Sequence, residues 1–486
     1  MTTVPDLRVR RANDGDVNGE GDYVLYWMTA FRRLEWNFAL QHAADLSREL
    51  ALPLVVLEIL RADYPYASHR LHRFILQGMR ERRDALAGTG VLHHPFVEER
   101  GGEARGLLPT LARRAATLVV DDFPSFFLPR MVEEATGEVD VAVDLVDANG
   151  LLPLRATEKV FKTARSFRRY LQETLPDHLP ESPDPDFPAR DLPPADDVLA
   201  RDVQDRWPAA RGDVLAAESR ILEDLPLDAS VPPVSATGTT DAGRTALDAF
   251  LDDGLARYAE DARHPDRKAT SGLSPYLHFG PVSAHEIFDG VARREGWTPN
   301  RLAREADGAR EGWWGMGEGA EAFLDQLVTW REVGFNMTSK KADYAEYDSL
   351  PEWARDTLEE HRADERPYLY SLEELRDAET HDHVWNAAQR QLLEEGVIHN
   401  YLRMLWGKKI LEWTREPREA LDVMVELNDR YALDGRDPNS YSGIFWCLGR
   451  YDRGWPERPV FGKVRSMTSR STRRKIHLDK YLERFS

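Results

Sequence analysis

A loop of small and hydroxyl-bearing residues is one segment of the sequence that could bind an anionic ligand. It reads TSGLSP over residues 270–275. Small residues let backbone N–H groups approach an anion closely, and the hydroxyls add further donors, so a diphosphate could bind here. The same pattern is typical of a helix N-cap with proline in the first turn. The loop alone leaves both interpretations open.

Tryptophans at helical spacing are a second feature that could take part in chemistry. Trp385 precedes Gly396, which is predicted to separate two helices. Trp406 and Trp413 are seven residues apart in the second helix, so they share one face about 10 Å apart along its axis. A tryptophan stripe is typical of a helical core, and a path that carries electrons is the alternative.

A polar segment near the end of the chain could hold a charged pair. Residues 427–439 read LNDRYALDGRDPN. Because a buried arginine or aspartate is costly without a partner, Arg403 and Asp434 form a plausible ion pair. A surface loop with capping carboxylates is the other interpretation of this segment.

A basic segment covers residues 462–478. It contains no acidic residue, and its cations are Lys463, Arg465, Arg470, Arg473, Arg474 and Lys475. The whole chain has a formal net charge of −20, so any phosphate partner needs a local basic patch such as this one. A solvated C-terminal segment is the alternative.

These segments belong to a chain of 486 residues, which is long enough for two or three domains. Apolar β-rich runs alternate with amphipathic stretches in the first 150 residues, which predicts a doubly wound α/β domain with a parallel sheet. The predicted strands are 23–27, 54–59, 92–97, 117–121 and 141–146, and two predicted helices are 34–50 and 69–87. No G-x-G-x-x-G follows the first strand, so the usual dinucleotide fingerprint is absent.

The predicted domains are an α/β domain over 1–175, a proline-rich interdomain linker over 176–243 and an α-helical domain over 244–486. Cys447 is the single cysteine, which excludes an internal disulfide and a cysteine-bound iron–sulfur cluster. We predict no metal site. No apolar run reaches the roughly 20 residues of a membrane span, and we expect a cytoplasmic protein.

Taken together and in this order, the segments resemble the photolyase/cryptochrome flavoprotein family, and most closely its class II cyclobutane pyrimidine dimer photolyases. The matching stretches are LSPYLHFG (273–280), THDHVWNAAQ (380–389), LRMLWGKKILEW (402–413), LNDRYALDGRDPN (427–439) and ERPVFGKVR (457–465). The resemblance covers nearly the whole chain. It implies the fold of that family, with an N-terminal doubly wound domain and an all-α C-terminal domain that binds FAD.

The resemblance implies a cofactor site and an electron path. The residues that would bind FAD are Tyr258, Ser271, Gly272, Leu273, Ser274, Arg403, Asn428, Asp434, Asp437 and Asn439. Asn428 would face the flavin, and the pair of Arg403 and Asp434 would lie against its edge. Trp406 and Trp385 would reduce the flavin under light, and the residues farther out would be Trp413 and Tyr370. An antenna chromophore of the deazaflavin or folate type stays an open expectation.

The implied partner is UV-damaged DNA, and the implied activity is that of a deoxyribodipyrimidine photolyase, a lyase that cleaves carbon–carbon bonds. Trp330 and Trp446 would sandwich a flipped pyrimidine dimer, and Met404 would pack against it. Arg453 and Arg465 match positions that grip phosphates. Excited FADH⁻ would donate an electron to the dimer, the cyclobutane ring would split, and the electron would return. We expect the protein to act as a monomer.

The chain departs from the class II pattern at Gln326, where that class carries a glutamate. An amide can donate a hydrogen bond but supplies neither a proton nor a charge, so an anionic dimer would be stabilised less. Two rivals therefore stay open: a (6-4) photolyase and a cryptochrome-like blue-light receptor without repair activity. The segment 447–452, with Tyr451 in place of a usual histidine, and the insertion 311–319 also depart from the pattern.

Overall fold

Six strands in the first part of the chain form one sheet. In the computed structural model, which describes residues 3–486, the strands are β1 Val9–Arg11, β2 Tyr23–Trp27, β3 Leu54–Leu60, β4 Leu92–Val97, β5 Ala115–Asp121 and β6 Val143–Val146. Their order is β1-β6-β5-β2-β3-β4. The pairs are parallel except β1 with β6, which is antiparallel. The chain winds outward from β2 to β4 and then from β5 to β6, which confirms the predicted doubly wound sheet.

The central strands are buried throughout, as expected where helices cover such a sheet on both faces. Every residue of β2, β5 and β6 is buried. The predicted strand starts at 117 and 141 shift to Ala115 and Val143. β1 was not predicted, because Val9–Arg11 is short, charged and half exposed and pairs only along the sheet edge.

The first two helices of the first half begin at side-chain caps, Asn37 and Ser68. The helices of this half are α1 Phe38–Leu50, α2 His69–Leu86, α3 Leu107–Ala112, α4 Leu128–Thr136, α5 Ala164–His178, α6 Arg201–Arg206, α7 Gly212–Leu215, α8 Ser219–Asp224 and α9 Thr240–Ala249. The Asn37 side chain accepts from the N–H groups of Ala39 and Leu40, so α1 begins at Phe38 rather than at the predicted 34. Short helices occur within the predicted linker.

The second half is mostly helical. Its helices are α10 Leu255–Asp261, α11 Ser274–Phe279, α12 Ala284–Arg294, α13 Glu318–Leu324, α14 Arg331–Lys340, α15 Glu352–Glu360, α16 Leu372–Arg376, α17 His383–Glu395, α18 Asn400–Trp413, α19 Pro417–Tyr431, α20 Pro438–Cys447, α21 Ser469–Lys475 and α22 Asp479–Arg484. Two π-helical turns cover Phe250–Gly254 and Asp325–Trp330. Short 3₁₀ turns cover Asp6–Arg8, Pro265–Arg267, Pro299–Arg301 and Tyr347–Ser349. The predicted fold class is confirmed.

Two compact units share the chain. The first comprises the chain up to Thr157, Asp177–Thr245 and Pro275–Asp289, and the second comprises Glu158–Pro176, Ala246–Ser274 and Gly290–Ser486. Each unit collects separated stretches of sequence, and the three predicted domain ranges stay a prediction. Across residues 3–486, none of the helices combines the length and the apolar character that a membrane span requires.

Close helix packing positions the C-terminal candidates. α17 ends at Gly396 in the left-handed conformation with φ +70°, as the predicted break between two helices requires. At Gly407 of α18, an added Cβ would lie 2.5 Å from the Cys447 sulfur of α20. At Gly334 of α14, an added Cβ would lie 2.6 Å from the Ser442 hydroxyl of α20. The two glycines therefore let α18 and α14 approach α20 at backbone distance.

Candidate active site

An arginine on α18 joins two polar residues of the predicted cofactor site. Arg403 Nη2 donates to both carboxylate oxygens of Asp434, at 2.7 and 3.0 Å, and Nη1 donates to Asn428 Oδ1 at 3.3 Å. The Arg403 and Asp434 side chains are mostly buried. The structure therefore brings together three of the predicted cofactor residues.

The hydrogen bonds of Asn428 fix which way its amide points. Its Nδ2 donates to Asp429 Oδ1 at 3.0 Å and to Ser440 Oγ at 2.6 Å, while Oδ1 accepts from Arg403. Both amide protons are used. The Asn428 Oδ1 therefore keeps a second lone pair, which can accept a hydrogen bond from another donor.

Asp429 supports Asn428 and was missed by the sequence analysis. Its Oδ2 accepts from the Tyr441 hydroxyl at 2.9 Å, and its Oδ1 accepts from the Arg436 backbone N–H at 2.9 Å. Burial raises the pKa of Asp429, and the positive charge of Arg436 acts in the opposite direction. The signal available was the position of Asp429 directly after Asn428 in the same polar segment.

The remaining cofactor candidates lie at the start of α20 and in the loop before α11. Asp437 caps α20 by accepting from the Asn439 N–H at 2.8 Å. In the loop, Gly272 has φ +66° beside open space, and the Leu273 N–H donates to Ser271 Oγ at 3.4 Å. Ser274 opens α11, so the helix-start interpretation of this loop holds. Its role with a diphosphate stays a prediction.

Tyr258 belongs to an aromatic cluster of the second unit. Its ring centroid lies 5.8 Å from Phe250 and 5.4 Å from Phe323, both edge-on. Burial, followed by the nearby charge of Asp325, raises the pKa of Tyr258 to about 12. The phenol is therefore neutral at physiological pH and can donate a hydrogen bond.

The donor set is compatible with FAD. A flavin edge needs neutral or positive hydrogen-bonding groups, and the Asn428 amide oxygen and the Arg403 guanidinium are such groups. A diphosphate needs small residues that admit its oxygens, and Gly272 is exposed with no atom near the place of a Cβ. On these two observations the residues fit the cofactor.

Three buried tryptophans form a continuous series, called the tryptophan series below: Trp406, Trp385 and Trp413. The rings of Trp406 and Trp385 are parallel within 3° with centroids 6.5 Å apart, and Trp413 follows edge-on at 5.6 Å from Trp385. Trp385 Nε1 donates to the Trp406 carbonyl at 3.0 Å, and Trp406 Nε1 donates to Gln389 Oε1 at 2.9 Å. The three rings are at most 1% exposed, so the series is both core and contiguous.

The π-helical turn Asp325–Trp330 carries two of the predicted lesion residues, Gln326 and Trp330, and both are half-buried. Asp325, one residue earlier, is buried and accepts from Arg168 Nε at 2.7 Å. Arg168 also donates to the Gly308 carbonyl at 3.2 Å. The carboxylate beside Gln326 is therefore committed to an ion pair that the sequence analysis missed.

The other candidate wall of the lesion site, Trp446, has a buried lysine beside it. Lys408 Nζ lies 4.8 Å from the Trp446 ring centroid and donates to the Cys447 carbonyl at 2.7 Å. Burial lowers the pKa of Lys408 to about 8. The Met404 methyl lies 3.6 Å from the place of a Cβ on Gly443, so Met404 also borders α20. Lys408 was missed although it stands in the motif 402–413.

The two predicted phosphate-binding arginines share an aromatic neighbour. The guanidinium carbon of Arg465 lies 4.9 Å from the Trp455 ring centroid and 5.8 Å from that of Trp446. Arg453 lies 5.5 Å from Trp455 and is exposed. Tyr451, at the departure from the family pattern, is buried with φ +66° and donates to the Val333 carbonyl at 3.3 Å.

Known proteins are similar to this chain over most of its length. A family model described as DNA photolyase matches residues 24–189. The chain is 36% identical over 478 residues to a deoxyribodipyrimidine photo-lyase of Methanothermobacter thermautotrophicus, with 98% of this chain and 97% of the relative covered. It is 36% identical to that of Oryza sativa subsp. japonica, with 95% and 87% covered. It is 32% identical to that of Potorous tridactylus, with 98% and 83% covered.

A solved structure supports the fold. The crystal structure of a bacterial class III photolyase from Agrobacterium tumefaciens superposes with a TM-score of 0.66 at 17% identity. The match covers 96% of this chain and 86% of that one. At this identity the likeness concerns the fold alone.

Proposed function

Because the chain belongs to the DNA photolyase family, we propose that it is a light-driven DNA repair enzyme that binds FAD and splits cyclobutane pyrimidine dimers. One observation carries the proposal. Within four residues, α18 holds Arg403 in the polar network, Met404 beside α20 and Trp406 in the tryptophan series. A single helix would thus serve the cofactor, the lesion and the electron path.

Bound FAD would supply the light absorption and the transferable electron. The protein would hold it with Arg403 and Asp434 at one edge and with the loop 271–274 at the diphosphate. The Asn428 oxygen would accept a hydrogen bond, because both of its amide protons are already used. Tyr258 would donate from its neutral phenol, and the start of α20 at Asp437 and Asn439 would complete the site.

The lesion would bind outside the duplex, between Trp330 and Trp446 and against Met404. A damaged and poorly stacked dimer costs less to extrude than an intact pair. Lys408 and Arg465 place two cations at the Trp446 ring, which favours a substrate that becomes negatively charged during ring opening. Arg453 and Arg465 would contact the DNA phosphates.

The tryptophan series would conduct electrons from the protein exterior to the cofactor site and restore the reduced cofactor after oxidation. Contiguous rings with centroids 5.6 to 6.5 Å apart support this role. The sequence-based expectations of a monomer, a cytoplasmic location and an antenna chromophore belong to the same proposal.

A product assay tests the proposed function. Chemically reduced protein is mixed with an oligonucleotide that carries one thymine dimer, illuminated with blue light and compared with a dark control by chromatography. Light-dependent restoration of both thymines is the expected result. Absence of restoration by a yellow, FAD-loaded protein contradicts dimer repair and favours the (6-4) lesion or the receptor.

Gln326 supports a second candidate, repair of the (6-4) lesion, because a neutral amide occupies the position of an expected carboxylate. The same assay with a (6-4) oligonucleotide decides between them. Restoration of that lesion alone would replace the proposed substrate and keep the reaction class.

A further inference from the structure

Three side chains at the outer end of the tryptophan series form a group, called the terminal cluster below: Tyr368, Tyr370 and His381. The Tyr370 ring lies 5.4 Å from Trp413, and the His381 ring lies 5.3 Å from it. Tyr368 stacks on His381 with centroids 3.7 Å apart and is 48% exposed. The terminal cluster therefore connects the buried series with solvent.

The hydrogen bonds of Tyr370 assign a direction to its phenol proton. The backbone N–H of His381 donates to Tyr370 Oη at 3.0 Å, so the oxygen already accepts one bond. The same oxygen lies 2.6 Å from His381 Nδ1. In the imidazole tautomer with its proton on Nε2, Nδ1 is an acceptor, and the phenol O–H donates to it.

A phenol that loses an electron becomes strongly acidic, so its oxidation near neutral pH needs a base at hydrogen-bond distance. We infer that His381 is the proton acceptor for one-electron oxidation of Tyr370, and that the terminal cluster is where an external thiol reductant delivers electrons. This inference rests on the proposed function, because the oxidant of Tyr370 is Trp413 after it has lost an electron along the proposed path.

The step is balanced. One electron passes from Tyr370 to the oxidised Trp413 and restores its neutral indole, while the Oη proton moves to His381 Nδ1. Tyr370 is then a neutral phenoxyl radical and His381 an imidazolium. A thiolate next returns one electron to Tyr370 and becomes a thiyl radical, and the proton returns from Nδ1 to Oη.

Tyr368 offers a matched comparison. It lies 6.5 Å from Tyr370, in the same cluster and more exposed, but it meets His381 through its ring face. Removal of the Tyr368 hydroxyl changes the same chemical group without touching the bond to Nδ1. Exposure alone would make Tyr368 the radical site, whereas the proton acceptor makes Tyr370 the radical site.

The experiment is flash photolysis of the FAD-loaded protein with transient absorption and spin resonance, which separate tyrosyl from tryptophanyl radicals. We expect a tyrosyl signal in the wild-type protein and in Tyr368→Phe, and none in Tyr370→Phe. In His381→Leu and His381→Asn the tyrosyl yield should fall about tenfold or more, and added imidazole should restore part of it. A millimolar thiol should shorten the tyrosyl lifetime in the wild-type protein.

Unchanged tyrosyl yield in both His381 variants overturns the inference, and so does a signal that follows Tyr368 or a lifetime that ignores the thiol. Circular dichroism and the FAD absorption of each variant verify its fold. If flashes yield no radical in the wild-type protein, the proposed electron path has failed. Azide radicals from pulse radiolysis then oxidise solvent-accessible tryptophans and tyrosines, and a Tyr370-dependent tyrosyl signal that needs His381 still decides the role of His381.

Discussion

Gln326 sets how well the candidate lesion site can stabilise negative charge. It lies half-buried in the same π-helical turn as Trp330, while the carboxylate of Asp325 is engaged by Arg168. An amide thus occupies the position at which a carboxylic acid could donate a hydrogen bond and also supply a proton. We predict that Gln326→Glu raises dimer repair on the order of two- to tenfold in single-turnover assays with chemically reduced protein.

Gln326→Ala is the control for that change, because it removes the amide without adding an acid and should repair less than the wild type. An unchanged or lower yield in Gln326→Glu would show that the site is organised for a different lesion. The (6-4) oligonucleotide should then be the better substrate of the wild-type protein.

Trp406 is the member of the tryptophan series that lies nearest to Arg403 along α18. Replacing it with phenylalanine keeps a ring in the core but removes the indole that donates to Gln389 and stacks on Trp385. We predict that Trp406→Phe loses photoreduction of the cofactor, while chemically reduced variant still repairs. Flavin absorption under illumination measures the first, and the product assay measures the second. Trp353→Phe, on α15 and outside the series, is the control. Photoreduction retained in Trp406→Phe would remove Trp406 from the path.

Lys408 couples protonation to stability. Burial lowers its pKa to about 8, below the ordinary value near 10.4 that it has in the unfolded chain. Between these two values the unfolded state binds more protons, so the free energy of unfolding rises with pH in this window. Relative to Lys408→Met, the wild-type protein should gain up to about 3 kcal/mol between pH 7.5 and 10.5.

Urea unfolding of both proteins at the two pH values measures this gain. Lys409→Met serves as the control for loss of a lysine from α18, since Lys409 pairs with Glu412 at 2.6 Å. A stability difference between wild type and Lys408→Met that does not change with pH would contradict the lowered pKa of Lys408.

At the scale of elements, a buried ion pair fixes the π-helical turn that carries the lesion candidates. Arg168 of α5 and Asp325 are both mostly buried and joined at 2.7 Å. Removing one partner leaves the other charge buried without compensation, which costs about 3–5 kcal/mol. We predict that Arg168→Met loses this amount of stability. The double variant Arg168→Met/Asp325→Leu should recover most of it.

Thermal or urea unfolding of the single and double variants completes the cycle. Additive losses would show that the two residues act independently. The affinity of each variant for DNA that carries a pyrimidine dimer is measured as well, because a displaced turn moves Trp330. The double variant should bind the lesion better than Arg168→Met.

The elements that the sequence predicts well are those with local signals. The apolar runs at 23–27 and 92–97 predict the bounds of their strands to within a residue. Gly396 ends α17 in a left-handed conformation, as predicted. Tertiary contacts decide the rest. β1 forms because it pairs with the edge of β6, and the sequence of Val9–Arg11 contains no local pattern that predicts a strand. The π-helical turns likewise follow from packing.

The candidate site shows the same division at the level of residues. The pair of Arg403 and Asp434 could be proposed because a buried charge needs an opposite one, and the structure joins them. Arg168 lies 157 positions from Asp325, and Lys408 meets carbonyls of another helix, so neither contact leaves a pattern in the sequence. The long-range partners of buried charges therefore cannot be predicted from the sequence pattern.

At the scale of the whole molecule, a chain with net charge −20 must bind a polyanion through local cations. The basic segment 462–478 contains α21, where four cations are exposed: Arg470, Arg473, Arg474 and Lys475. Each arginine that contacts a phosphate adds about 0.9 to the slope of log affinity against log salt on duplex DNA. We predict that Arg473→Gln/Arg474→Gln weakens binding of damaged and undamaged DNA alike and lowers the slope by up to about 1.8.

The control must change the global charge equally and leave the segment intact. Arg100→Gln/Arg130→Gln does so, because both side chains are more than four-fifths exposed and lie outside the basic segment. Both double variants carry the same formal charge, so a repulsive global field would shift their affinities equally. A reduced slope confined to Arg473→Gln/Arg474→Gln, measured by titration across salt concentrations, would assign phosphate contacts to α21. Equal slopes would mean that the overall field, rather than this segment, governs how the acidic chain meets DNA.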